Sequence, residues 1–77
     1  MPRFYFDIND GTGIVHDTEG SEHHGLDAAQ HEAVETLALL GREIFPQSGD
    51  RELSIEIRGE EGKTLMRTRL SFLAERV

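Results

Sequence analysis

Residues 3–9, RFYFDIN, alternate: Phe4, Phe6 and Ile8 fall on one side, and Arg3, Tyr5, Asp7 and Asn9 on the other. A period of two marks a half-buried strand. Asp10-Gly11 follows, a strong hairpin signal, and IVHD at 14–17 reads as the returning strand. TEGSEHHG at 18–25 holds only turn formers and polar groups. From Leu26 the period lengthens. Leu26, Ala29, Ala33, Leu37, Leu40 and Ile44 step by three or four, which predicts one apolar stripe on a helix, with Val34 and Gly41 on its flank. Gly25 or Ser21 is the nearest N-cap; Gly25 is better placed but offers no side-chain acceptor. Asp27 in the first turn suits the helix dipole. Pro46 predicts the end of the helix, because the residue before a proline avoids helical geometry.

RELSIEIR at 51–58 alternates again, with Leu53, Ile55 and Ile57 inward and Glu52, Ser54, Glu56 and Arg58 outward. GEEG is a hairpin loop. The last strand lies in KTLMRTRLSFLAERV, with Met66, Thr68, Leu70 and Phe72 inward. Leu65 and Leu73 do not fit that phase, which implies a bulge or the opposite phase. The order β-β-α-β-β predicts an α+β fold: a small antiparallel sheet of about four strands packed on one amphipathic helix. The chain has 77 residues, so residues 1–77 form one domain.

That length limits the core. A domain of this size buries only about 60% of the surface its unfolded chain exposes, so small domains gain from a staple or a partner. There is no cysteine, which excludes a disulfide, a thiolate zinc site and thiol chemistry. A partner subunit is the expected source of extra stability, ahead of a histidine-bound metal. No stretch approaches the roughly 20 apolar residues of a membrane span. MPRFYFDIND does not have the form of a signal peptide, and a cytoplasmic location is expected.

The net charge is −7, and its distribution matters more than its sum. Between Arg3 and Arg42 there is no Lys or Arg, whereas Asp7, Asp10, Asp17, Glu19, Glu22, Asp27, Glu32 and Glu35 all fall there. From Arg42 onward, seven basic and seven acidic residues balance. The first half repels a phosphate backbone, which disfavours nucleic acid and leaves a basic protein or a cation as partner. The plainest role of such charge is solubility.

Every histidine lies in HDTEGSEHHGLDAAQH, residues 16–31. Imidazole and carboxylate together suit zinc or nickel, and His16, His23, His24, Asp27 and His31 are the candidate ligands. Asp27 and His31 are four apart and share a helix face. Against a site, His23 and His24 are adjacent and tend to point apart, and no His-x3-His pair or His-Glu-x-x-His run occurs. The expectation is a solvated acidic turn with no bound metal. A proton-responsive role is the alternative, since neighbouring carboxylates raise a histidine pKa.

Other constellations are thin. Asp7, Asp17 and Glu19 are candidates for an acid–base pair, with Asp7 and Asp17 facing each other across the first hairpin. No serine carries a nucleophile motif, and neither GTG nor GEEG sits at a strand-to-helix step that would cradle phosphate. No enzyme activity, catalytic residue or cofactor is expected. Arg3, Tyr5, Arg58, Arg67 and Arg69 share the outer sheet face with Glu52 and Glu56. One tyrosine and mixed charge suit cross-strand ion pairing better than stacking of single-stranded nucleic acid. Leu39 lies among Ala28, Glu35 and Glu43, away from the core stripe. With Leu65, Leu73 and two uncovered strand edges, it suggests a contact to another subunit.

PRFYFDINDG at 2–11, DTEGSE at 17–22, LDAAQHEAVETLA at 26–38 and RELSIEIRGEEGKTL at 51–65 together resemble a family of short alphaproteobacterial proteins classed as a domain of unknown function. Its members begin Pro-Arg-Tyr/Phe-Phe/Tyr-Phe and carry an Asp-x-Glu-Gly turn. The resemblance implies a fold and a bacterial origin, and no activity. Members often have Leu-Pro-Asp before the helix, where this chain has His23-His24-Gly25, so a shared histidine-based function is not implied. The expected function is a non-catalytic binding or accessory domain acting as a homo-oligomer or through a protein partner. The alternative is a metal- or pH-responsive domain using His16, His23, His24 and His31.

Overall fold

The computed structural model describes residues 1–77. The chain forms strands β1 (Arg3–Asn9), β2 (Ile14–Val15) and β3 (Ser21–Glu22), helix α1 (Leu26–Ser48), then β4 (Arg51–Arg58) and β5 (Thr64–Phe72). All pairings are antiparallel, in the order β2-β1-β4-β5, and β3 also pairs with β1. One helix on one antiparallel sheet is the α+β arrangement that the alternating and three-four patterns imply.

The register explains why the alternation produces a single apolar face. Phe6 opposes Ile57 and Ile8 opposes Ile55 across β1 and β4. Ile57, Ile55 and Leu53 oppose Met66, Thr68 and Leu70 across β4 and β5. The core is Phe4, Leu53, Ile55 and Ile57 from the sheet with Ala29, Ala33 and Leu37 from α1. Two alanines at the contact let the helix approach the sheet closely. Gly41, placed on the flank by the helical spacing, is buried with them. A Cβ there would lie 2.9 Å from the Phe45 ring and 3.0 Å from Leu70 Cδ2. Thr68 turns inward, and its hydroxyl donates to the Ile55 carbonyl at 3.0 Å, so its polar atom is satisfied beside the core.

Three sequence expectations change. The helix does not stop before Pro46 but runs on to Ser48. Proline there removes one N–H from the last turn only, and Phe45 is anchored by stacking on Phe72 at 5.5 Å between ring centroids. The segment 18–25 is not all turn, since Ser21 and Glu22 pair with Phe4 and Arg3 as a fifth strand. Main-chain hydrogen bonds rather than apolar side chains hold that strand, so periodicity gave no sign of it. On β5 the register slips between Ile57↔Met66 and Arg58↔Thr64. Leu65 is the unopposed residue of a bulge, while Met66, Thr68 and Leu70 keep the inward phase. Phe72, expected inward, is 40% exposed at the strand end.

α1 lies chiefly across β4 and β5, and β1 joins the core mainly through Phe4. The less covered strip of the sheet is the part of β1 at Phe6 and Ile8, which are only partly buried.

Candidate functional site

The free edge of β1 is paired in two pieces. β2 takes Ile8 and Asn9, and β3 takes Phe4 and Arg3. Residues 16–20 cross the gap between them. Asp17 fills the gap with a side chain in place of a strand: its Oδ2 accepts the Phe6 N–H at 3.0 Å. Its Oδ1 accepts the Glu19 and Gly20 N–H groups at 3.1 and 2.9 Å, closing an Asx turn. Gly20 has φ +72°, and a Cβ there would lie 2.8 Å from Tyr5 Cε2 and 3.0 Å from the Phe4 carbonyl oxygen. Only glycine fits that turn against the strand.

The outer side of this loop is held by charge. Asp7 lies on the face expected to be solvated, yet only 7% of it is exposed. Arg58 donates to it through Nε (2.6 Å to Oδ2) and Nη2 (3.1 Å to Oδ1), and Nη2 also reaches the Asp17 carbonyl at 2.9 Å. The Asp17 N–H donates to Asp7 Oδ1 at 3.0 Å. Tyr5 lies beneath the guanidinium, 5.1 Å from its centre. The Arg58 hydrogen bonds hold the Asp7 carboxyl below the usual aspartate pKa against the opposing effect of burial, helped by the Asp17 N–H and His16. At Asp17 burial is the largest single influence and pushes the pKa up. The N–H groups of Gly20, Phe6 and Glu19 together outweigh it, and the pKa falls. The anticipated acid–base pair is therefore two ionised carboxylates, both engaged in holding main chain.

The inner side of the same loop forms one wall of a groove of about 660 Å³. Phe6, Ile8 and Ile55 are its apolar floor, and Val15, 69% exposed, extends it onto β2. The opposite wall is Glu32 and Thr36 of α1. His16, Asp17, Glu19 and His23 complete the rim, and no Lys or Arg lines it.

The histidines are dispersed. His16 spans the loop, lining the groove while its Nδ1 lies 3.6 Å from Asp7 Oδ2. His23 packs its ring on Phe4 and Phe6, at 6.1 and 5.5 Å between centroids, and its main-chain N–H donates to the Pro2 carbonyl. His31 pairs with Glu35 one turn along α1 at 3.1 Å. His24 and Asp27 are exposed. No three His, Asp or Glu side chains converge on a point that would hold a metal ion. The three leucines also lie apart: Leu39 on the outer face of α1, Leu65 in the bulge and Leu73 just past the far end of β5. On the outer face, Arg67 pairs with Glu56 at 2.6 Å, as cross-strand ion pairing implies. Sequence reading missed the groove and the role of Asp17. The spacing Asp17-x-x-Gly20 is the one local signal that pointed to the turn.

No helix is long and apolar enough to cross a membrane. No curated protein and no solved structure matches the chain. A family model described as a domain of unknown function, DUF6894, matches residues 3–71, which span β1 through most of β5. The chain belongs to the DUF6894 family.

Proposed function

We propose that this chain is a non-catalytic protein-binding domain whose groove over β1 takes an apolar, positively charged segment of a partner protein in the bacterial cytoplasm. One observation carries the reading: Phe6 and Ile8 form a half-buried apolar floor beside α1, and the rim above them holds carboxylates and histidines with no Lys or Arg. Burying that floor drives association, and the acidic rim selects the sign of the partner. What supports a non-catalytic role is that the carboxylate oxygens of Asp7 and Asp17 are taken up by Arg58 and by main-chain N–H groups of the loop and β1.

The test uses a 15-residue peptide of leucine and lysine at helical spacing and fluorescence anisotropy at low salt. Glu19 and Glu32 are exposed, so reversing both leaves the fold intact. The variant carrying Glu19→Lys and Glu32→Lys should bind the peptide at least ten-fold more weakly than the parent. Equal affinity would overturn the groove as the recognition surface.

A further inference from the structure

The opposite edge of the sheet carries a second surface, independent of the groove. β5 has a neighbour only on its β4 side, so alternate residues along its length present a free row of main-chain donors and acceptors. At 100° per residue, Val34, Ala38, Gly41 and Phe45 share the flank of α1 that faces this edge. A depression between that flank and Leu70 and Phe72 has a volume of about 680 Å³. Val34 is 51% exposed. Backbone and apolar surface are thus left open side by side.

We infer that a second copy of this chain occupies that edge, pairing β5 with β5 antiparallel about a two-fold axis near Thr68. Three features favour a second copy over another partner. The strand is close to a palindrome about Thr68: Met66 meets Leu70 on the helix-covered face, and Thr68 meets itself. The helix spacing also fits. α1 sits over the seam between β4 and β5. Strands lie about 4.8 Å apart, so a two-fold at the β5 edge sets the two helix axes about 9.6 Å apart. That is within the ~8–10 Å of packed helices, and Ala38 and Gly41 are small at the contact.

The third feature is charge. Arg42 has no ion-pair partner within the chain, and Glu35, seven residues before it, shares its position round the helix, on the outer face above the flank, where it pairs with His31. Antiparallel helices centred midway between them place each Arg42 against the other copy's Glu35, twice. The strand axis projects to nearly the same place. Gly41 lies against Leu70, and stepping back two strand residues covers about 6.6 Å, or roughly four helical residues, to Leu37. The two centres agree to about 2 Å along the helix. On the outer face Arg67 comes beside the second copy's Arg69. Glu56, which holds Arg67 at 2.6 Å, offsets that repulsion.

Sedimentation velocity on the full chain across about 1–200 µM tests this, with circular dichroism on each variant. The parent should sediment as a dimer at the upper end. Val34→Lys and Arg42→Glu, both on exposed side chains, should each raise the dissociation constant at least ten-fold with the circular dichroism unchanged. Combining Arg42→Glu with Glu35→Arg should restore the dimer. A parent that stays monomeric, a dimer that ignores both single changes, or a swap that fails to restore it would overturn the interface. Peptide binding by the monomeric variant reads the groove separately.

Discussion

Arg58 on β4 grips Asp7 on β1 through two hydrogen bonds, although the two are not register partners: Asp7 opposes Glu56, and Arg58 opposes Tyr5. The diagonal contact neutralises a carboxylate that would otherwise stand buried beside another carboxylate. It also ties the central pair of strands to the loop at residues 16–20, through the Asp17 carbonyl. Asp7→Ala leaves Arg58 and the Asp17 N–H without their acceptor. Because the contact is only partly buried, with about a quarter of the Arg58 side chain in water, the loss should lie between that of a surface pair and that of a buried one. Urea unfolding measures it. A loss under about 1 kcal/mol, the range of surface pairs, would show that the contact is incidental.

Acid should weaken the fold through the same residues. Folding lowers the pKa of Asp7 and Asp17 below the ordinary 3.8, so the folded chain binds fewer protons than the unfolded one. Their stabilisation is complete well above pH 3.8 and is lost as pH falls through that value toward the lowered folded values. Stability measured by urea should decline below about pH 5. Asp7→Asn should flatten the decline; a variant curve parallel to the parent's would assign the acid response elsewhere.

Gly20→Ala should be severe for so small a change. The added methyl meets the Tyr5 ring, Arg3 Cγ and the Phe4 carbonyl at 2.8–3.0 Å, in a backbone conformation with φ +72°. A destabilisation of about 2 kcal/mol or more is expected, beyond the gain alanine usually brings through unfolded-chain entropy. Thermal melting decides it, and an unchanged melting temperature would mean that the turn is not held as described.

His23 should behave as a packing residue. Its ring covers Phe4 and Phe6, so His23→Ala should cost about 1 kcal/mol in lost ring contacts. That loss should be the same with added zinc or with chelator. A zinc-dependent difference between parent and variant would point instead to a metal at the histidines.

Much of the fold was legible because three elements carry strict periods. Phe4-Phe6-Ile8 and Leu53-Ile55-Ile57 set the sheet face, and Ala29-Ala33-Leu37 sets the helix stripe. The misfit of Leu65 left a bulge or the opposite phase open, and the register decides for the bulge. What stayed hidden rests on interactions without periodicity. The strand at Ser21–Glu22 is held by main chain, and Asp17 substitutes for a strand with its carboxylate. Asp7 reads as a solvated outward residue until the register brings Arg58 to it. The groove follows from where α1 lands, chiefly over β4 and β5, and the stripe alone does not set that offset.

The most direct test of the groove is an amide ¹H–¹⁵N titration of the labelled chain with the leucine–lysine peptide, alongside a leucine–glutamate peptide of the same spacing. The basic peptide should shift the amides of Phe6, Ile8, Val15, Gly20, His23, Glu32 and Thr36, and the acidic peptide should leave them in place. Shifts confined to β5 and the Val34–Phe45 flank, or equal shifts with both peptides, would contradict the groove as the binding surface.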